Sequence, residues 1–368
     1  MAAIIFKCPN CGGDLRFEPE KQTFQCEYCL SEFSEEQMNE SASGQSGETD
    51  EAGTADGKQA DLPGRGMGQP EAERGAQESV SIYSCPSCGA QIVADETTAA
   101  TFCYYCHNPV VLTGKMQGEY HPDGVLPFEI DREKALEIFE KWIGGKKYIP
   151  AAFYSQEQIE KLTGVYFPYW LYDCQVEGKL EAEGRRQRTW VEGNMRITRT
   201  EQYDISRDGT MEIENVTRNA LSKANKKLVE GVMPFEMKKL QAFQMGYLSG
   251  FLAENRDMEQ EQFAMEVEKE IRGFAENSLR SQVSGYDSVQ IRSKDMRITD
   301  PKWRYALMPV WTLTYVDKRT DKVYYFACNG QTGKVCGELP VDSGRLARLF
   351  ASVFVPLFAV LLAVGYFL

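Results

Sequence analysis

From Leu349 to Leu368 the chain reads LFASVFVPLFAVLLAVGYFL, twenty residues with no charge and nothing more polar than Ser352 or Tyr366. As a helix rising about 1.5 Å per residue, the run spans about 30 Å, the thickness of a bilayer's hydrocarbon core. Pro356 is compatible with a span, because membrane helices tolerate kinks. Arg345 and Arg348 precede the run, and an excess of Arg and Lys marks the cytoplasmic flank. Residues 1–348 are therefore expected in the cytoplasm, held to the membrane through Leu349 to Leu368. A very hydrophobic core helix of a soluble protein would satisfy the same pattern.

Upstream, the pattern predicts a mixed body over residues 115–340. Asp131 caps a helix to about Ile143, with Ala135, Leu136, Phe139, Trp142 and Ile143 on one face and Gly144-Gly145 ending it. A short helix follows from Ser155 to Leu162. Between Val165 and about Asn215 the pattern changes to strands, punctuated by Gly178, Gly184, Gly193 and Asp208-Gly209 as an antiparallel meander would be. Helices are predicted again from Thr217 to about Glu254. A longer one is predicted from Asp257 to about Val283, with Gln260 placed for a capping box. Phe263, Val267, Ile271, Phe274 and Leu279 form its apolar stripe. Strands return from Tyr286 to Leu339. Phe167-Pro168-Tyr169-Trp170 and Met308-Pro309-Val310-Trp311 share Pro-x-Trp. The echo predicts two related, neighbouring strands, with the prolines where strands begin and no ladder donor is lost.

Eight of the eleven cysteines fall in four CxxC pairs. Cys8 and Cys11 are followed after fourteen residues by Cys26 and Cys29, and Cys85 and Cys88 after the same interval by Cys103 and Cys106. The repeat extends beyond cysteine, since Cys8-Pro9-Asn10-Cys11-Gly12 matches Cys85-Pro86-Ser87-Cys88-Gly89. Four soft ligands in this spacing suit a tetrahedral structural zinc, and two sites are expected. Each intervening stretch has the pattern of a short hairpin: Leu15-Arg16-Phe17 with Thr23-Phe24-Gln25, and Gln91-Ile92-Val93 with Ala100-Thr101-Phe102. Units this small lack a core, so the metal must supply folding energy. His107, after Cys106, could substitute for a thiolate, but four cysteines leave it no vacancy.

The predicted class is thus α+β: zinc ribbons at residues 1–33 and 81–114, the body at 115–340, and a juxtamembrane segment with the apolar helix at 341–368. Residues 34–80 carry eleven acidic and three basic side chains and no aromatic residue. Such a segment cannot offset its ordering entropy, so a disordered acidic linker is expected, leaving the first ribbon free of the second. MAAIIFKCPNC at the start is charged by its seventh residue and does not read as a signal peptide.

Charge and motif content narrow the function. The net charge is −13, opposing general affinity for phosphate backbones. Residues 82–113 hold no Lys or Arg, and the first ribbon sets Lys7, Arg16 and Lys21 against five carboxylates, so neither ribbon builds a cationic surface. The chain has two histidines, His107 and His121, and no nucleophile–base–orienter set emerges, so no enzymatic activity is expected. Gly330-Gln331-Thr332-Gly333-Lys334 lacks the spacing of a phosphate loop and reads as a hairpin turn. Cys174, Cys328 and Cys336 cannot complete a metal site and read as small apolar fillers.

On these residues the two knuckle units resemble TFIIB-type zinc ribbons. The whole layout resembles a family of bacterial membrane proteins in which such a ribbon precedes a mixed body and a hydrophobic C-terminus. Gly164–Asp173 is similar to that family's GVYxPxWLYD segment. Met308–Tyr315 and Asn329–Pro340 are similar to its LPVWxLxY and NGQTGKVxGExP segments, with Met308 in place of Leu. The resemblance implies a membrane-docked adaptor that accompanies phage-shock-protein-A-like coat proteins and band-7 (SPFH) proteins in envelope-stress modules. A membrane-tethered nucleic-acid-binding regulator is the alternative, disfavoured by the missing cations.

Overall fold

The computed structural model describes residues 3, 5–34, 37–38, 81–95, 97–103, 106, 108–112, 116, 118–146, 148–317 and 320–367. Almost all of the acidic segment, and His107, lie outside these residues. In chain order the elements are β1 (Leu15–Glu18), β2 (Thr23–Cys26), β3 (Glu32–Phe33), β4 (Ser81–Ser84), β5 (Gln91–Ala94), β6 (Thr98–Phe102), β7 (Pro109–Val111) and β8 (Gly124–Val125). Then follow α1 (Arg132–Gly144), α2 (Gln156–Ile159), β9 (Thr163–Glu192), β10 (Met195–Asn219), α3 (Lys226–Gly231), β11 (Gln241–Ala242) and β12 (Leu252–Glu254). Last come α4 (Glu261–Ser281), β13 (Ser288–Asp317), β14 (Lys322–Asn329), β15 (Val335–Gly337) and α5 (Ser343–Phe367). The class is α+β, as expected.

Two very long strands replace the predicted meander. β9 pairs antiparallel with β10 on one side and β13 on the other, making a three-stranded ribbon. From Tyr172 to Ala182 alternate residues of β9 are buried, the period-two signature of a sheet covered on one face. The cover is α4, whose Val267, Ile271, Ala275 and Leu279 recur every fourth residue and are all buried. Phe274, expected in this stripe, points away and is exposed.

Three of the glycine signals read as turns run straight through the strands. Gly178 lies opposite Gly209 in register. A Cβ on Gly178 would stand 2.8 Å from Leu279 Cδ1, and one on Gly184 would stand 2.6 Å from the Tyr286 ring. These two glycines are seats for groups packed over the sheet. Only Gly193 makes a turn, supplying φ 62° in the two-residue loop between Glu192 and Met195. Gly178→Val is expected to lever α4 off the ribbon and cost about 1–3 kcal/mol. Gly209→Val, with open space at its Cβ, is the control. Thermal melts of both variants check this, and equal melting temperatures would refute the seat.

The other end of β9 and β13 lies in a ten-stranded sheet whose spine runs β11-β8-β13-β9-β12-β6-β7, with β10 against β9, β14 against β13 and β15 against β14. The two Pro-x-Trp segments are neighbours, Leu307 opposite Pro168 and Tyr305 opposite Trp170. Both prolines lie inside strands, not at their starts. Pro168 accepts from Ala220 N just past the end of β10, and Pro309 accepts from Gly330 N just past the end of β14. Each missing donor therefore faces a place where the neighbouring strand has stopped. The tryptophans tie the sheet to crossing segments, Trp170 Nε1 donating to Met258 O and Trp311 Nε1 to Ile130 O, both at 2.9 Å. Arg256, buried and paired with Glu259, stacks over Trp170 and Tyr305 with its guanidinium carbon 4.9 and 5.8 Å from their ring centres.

α1 begins as predicted, Asp131 accepting from Lys134 N at 2.7 Å. Ile149, Phe153 and Leu162 pack in the same core as Phe139. The helices expected between Thr217 and Glu254 are mostly absent: β10 continues to Asn219, and only Lys226–Gly231 is α-helical. Pro234 removes a helical donor, and Gly250, at φ 94°, takes a backbone conformation that a helix cannot use. α4 starts at Glu261 instead of Asp257, because Asp257 receives Ser222 N and Oγ and Gln260 makes no capping bond. The Asn329–Lys334 turn joins β14 to β15, with Asn329, Gly330 and Gln331 buried at its root. Asn329 Oδ1 receives Gln331 N and Thr332 N while its Nδ2 donates to Val232 O and Pro234 O. Cys174 and Cys328 are buried fillers, and burial pushes the Cys328 thiol up to about 12.

Candidate metal centres

Each knuckle is a tight backbone loop. In the first unit Cys8 N donates to Gly13 O and Gly12 N to Cys8 O, at 2.7 and 2.8 Å; Gly12 is at φ 74°. In the second, Cys85 N donates to Ala90 O and Gly89 N to Cys85 O, at 2.8 and 2.9 Å; Gly89 is at φ 73°. The glycine after the first CxxC of each unit holds a left-handed turn that a side chain disfavours. The second knuckles repeat the device, Cys26 N on Ser31 O at 3.0 Å and Cys103 N on Asn108 O at 2.9 Å.

These loops bring the predicted ligands together in two groups, Cys8, Cys11, Cys26 and Cys29, and Cys85, Cys88, Cys103 and Cys106. Within each group all Sγ atoms lie within 4.8 Å of one another. Cys8 and Cys29 are 3.6 Å apart, Cys11 and Cys26 3.5 Å, and Cys85–Cys106 and Cys88–Cys103 3.7 Å. Zinc–sulfur bonds of about 2.3 Å at a tetrahedral angle place sulfurs about 3.8 Å apart. A disulfide would need about 2.05 Å. The donor set and spacing fit two structural zinc sites.

The thiols' own chemistry calls for a cation. The Ser31 hydroxyl and N–H, then the Cys11 thiol, draw Cys29 down to about 6. Cys11, whose thiolate the Gly13 N–H favours, is pushed up to about 12 by the Cys29 and Cys26 thiols. In the first unit, therefore, one thiol ionises readily while the neighbouring Cys11 resists, a resistance that a bound dication offsets. In each unit the first cysteine of each knuckle is buried; the second is exposed at Cys11, Cys29 and Cys88 and half-buried at Cys106.

A second link crosses each unit, and aligning the repeat exposes it. Asn10 Nδ2 donates to Ser31 Oγ at 3.0 Å in the first ribbon, and Asn108 Nδ2 to Ser87 Oγ at 2.9 Å in the second. Position for position the partners are exchanged, which preserves one bond between knuckles. The three cations of the first ribbon are all committed: Lys7 to Asp14, Arg16 to Glu27 and Lys21 to Glu32.

Neither unit stands apart from the body. β1 to β3 form the expected small sheet, but Phe17 and Phe24 enter the main core edge-on to each other and close to Tyr247. Ser249 Oγ donates to Leu15 O at 2.5 Å, and Gln22 Nε2 to Phe128 O at 2.7 Å. This differs from the expectation of a ribbon moving freely of the second one. In the second unit the expected hairpin does not form. β5 pairs with β4, whereas β6 joins β7 and β12 in the main sheet through Ala100 opposite Val111 and Ala253.

α5 supplies the membrane candidate. Its window Ser343–Leu362 has mean hydropathy 1.9 and is 0% buried, so it is long and apolar enough to cross a bilayer and is no core helix.

A relative from Bacillus subtilis (strain 168), the uncharacterized protein YdjG, is 29% identical over 350 residues, covering 95% of this chain and 94% of its own length. No family profile matches the chain. No solved structure matches it.

Proposed function

We propose that this chain is a non-enzymatic, membrane-anchored zinc-ribbon scaffold that recruits cytoplasmic proteins to the bilayer. The observation that carries the reading is the pairing of two coordinatively closed four-cysteine centres, both joined to the body, with a helix that is apolar and uncovered over Ser343–Leu362. Four cysteines leave no open position for a substrate or a reactive water, which supports a structural role for the metal. His121 is exposed and packs edge-on to Phe243 at 5.3 Å. Arg345 and Arg348 support residues 1–348 on the cytoplasmic side. The committed cations of the first ribbon weigh against nucleic acid as its partner. By resemblance, the partners are phage-shock-protein-A-like or band-7 proteins of an envelope-stress system.

Affinity recovery of the tagged chain from detergent-solubilised membranes, with and without nuclease, tests this. Stoichiometric protein partners that survive nuclease are expected. Recovery of nucleic acid, or of the chain alone, would sink the scaffold reading. Cys8→Ser with Cys11→Ser is expected to lose partners that grip the first ribbon while the chain stays in the membrane fraction.

A further inference from the structure

Beyond the scaffold reading, the far end of the ribbon carries chemistry that neither the zinc sites nor α5 uses. β13 stops opposite Arg185, Asp287 caps the edge by accepting from Gln187 N, and the strands beyond it continue as a two-stranded hairpin. Two-stranded hairpins are marginal alone, and α4 has already ended. Residues 185–200 contain five arginines and one carboxylate, Glu192, in a chain whose net charge is −13.

The order along the hairpin is specific. At its end stand Trp190, Val191 and Met195, exposed by 44, 69 and 67%. Arg188 and Arg199 lie directly opposite each other one step behind, on the face that carries Trp190, with Ile197 across from it. Like charges placed opposite across a strand pair are destabilising. Arg199 is balanced by Glu201, and further back Arg185 pairs with Glu183 while Arg186 is bonded to Gly285 O and stacked between Tyr203 and Tyr286. Arg196 stands exposed on the opposite face. Nearer the tip Glu192 faces Met195 and Arg196 faces Val191, while the Arg188–Arg199 pair lies roughly 7 Å behind Trp190 and Ile197. Aromatic rings at the headgroup level with basic side chains beside them match an anionic lipid interface.

We infer that the Arg185–Thr200 hairpin docks on an anionic phospholipid surface, Trp190 and Met195 entering the interface and Arg188 and Arg199 meeting headgroup phosphates. An acidic protein surface would satisfy the charge but not the exposed apolar side chains beside it. The site is separate from the anchor: the hairpin begins some 70 Å along β9 from Thr163.

The test keeps the anchor occupied. The full chain is placed in neutral phosphatidylcholine nanodiscs and floated with added vesicles, either phosphatidylcholine alone or containing phosphatidylserine. Flotation is expected only with the anionic vesicles, weakening with salt. Trp190→Ala with Arg188→Glu and Arg199→Glu should reduce it at least tenfold, since each basic residue near such a surface contributes about fivefold. Arg188→Lys with Arg199→Lys should retain it, and an unchanged zinc content shows that the fold survives. Absence of flotation with anionic vesicles, equal flotation of the triple variant, or capture by polyglutamate or DNA beads without capture by vesicles would each overturn the inference.

Discussion

Cys103→Ser with Cys106→Ser is expected to halve the zinc content and to abolish cooperative unfolding of the whole body. The reason is topological. β6, which ends one residue before Cys103, is hydrogen-bonded to β12 and so to β9, the central strand of the main sheet. Apparent zinc-binding energies of small Cys-ligated units run to about 10–16 kcal/mol, comparable with or larger than the roughly 5–15 kcal/mol stability of an entire domain. Losing the second site should therefore leave a misfolded chain, not a trimmed one. Cys8→Ser with Cys11→Ser should be milder. The first ribbon adds no strand to the main sheet, so its loss mainly uncovers Tyr247 and Phe128. Metal analysis with differential scanning calorimetry on both variants checks the ranking. A second-site variant that still melts within a few degrees of the parent would show that β6 holds without its metal.

The metal ligands were legible because their chemistry is strict: the spacing alone named all eight cysteines, and the structure brings them together. The hydrogen bonds Asn10–Ser31 and Asn108–Ser87, with their partners exchanged between repeats, emerge only from the structure, although the repeat alignment sets the four residues in matching positions. What local pattern could not reveal was the attachment of the ribbons to the body. Phe17 and Phe24 look like the apolar fill of a hairpin, and only the fold supplies Tyr247 as their partner.

The ribbon strands failed to read for a different reason. Gly178 and Gly184 carry the usual signature of a turn, yet their lack of a Cβ serves Leu279 and Tyr286, residues about a hundred positions away. A glycine that admits a neighbour and a glycine that bends the chain are the same letter. The stretch after Asn219 misled through its spacing of apolar residues, which are buried one by one on irregular loops. Within the Pro-x-Trp echo, by contrast, the pairing of the two strands was readable from their shared pattern, although in the antiparallel register Pro168 faces Leu307 and Trp170 faces Tyr305.

Deleting residues 343–368 is expected to move the chain from the membrane pellet to the supernatant after alkaline extraction, with its zinc and its melting temperature intact. Over Ser343–Leu362, α5 buries nothing against the body, so its removal takes no contact from the core. Phe350, Phe354 and Phe358 stack successively along one side, with ring centres 5.2 and 5.5 Å apart, while Val353, Leu357 and Leu361 are exposed as well. Apolar groups uncovered in every direction require either lipid or an oligomeric partner. A point variant separates the two. Leu357→Arg with Leu361→Arg places two charges mid-helix, each costing about 2.5–3.5 kcal/mol in a bilayer, and should mimic the deletion. If α5 instead sealed an oligomer, the full chain would leave the membrane on extraction as a large soluble species, and the deletion would change its mass, not its fraction. Retention of the deleted chain in the pellet would shift the attachment to the body, and with it the origin of the protein's place at the membrane.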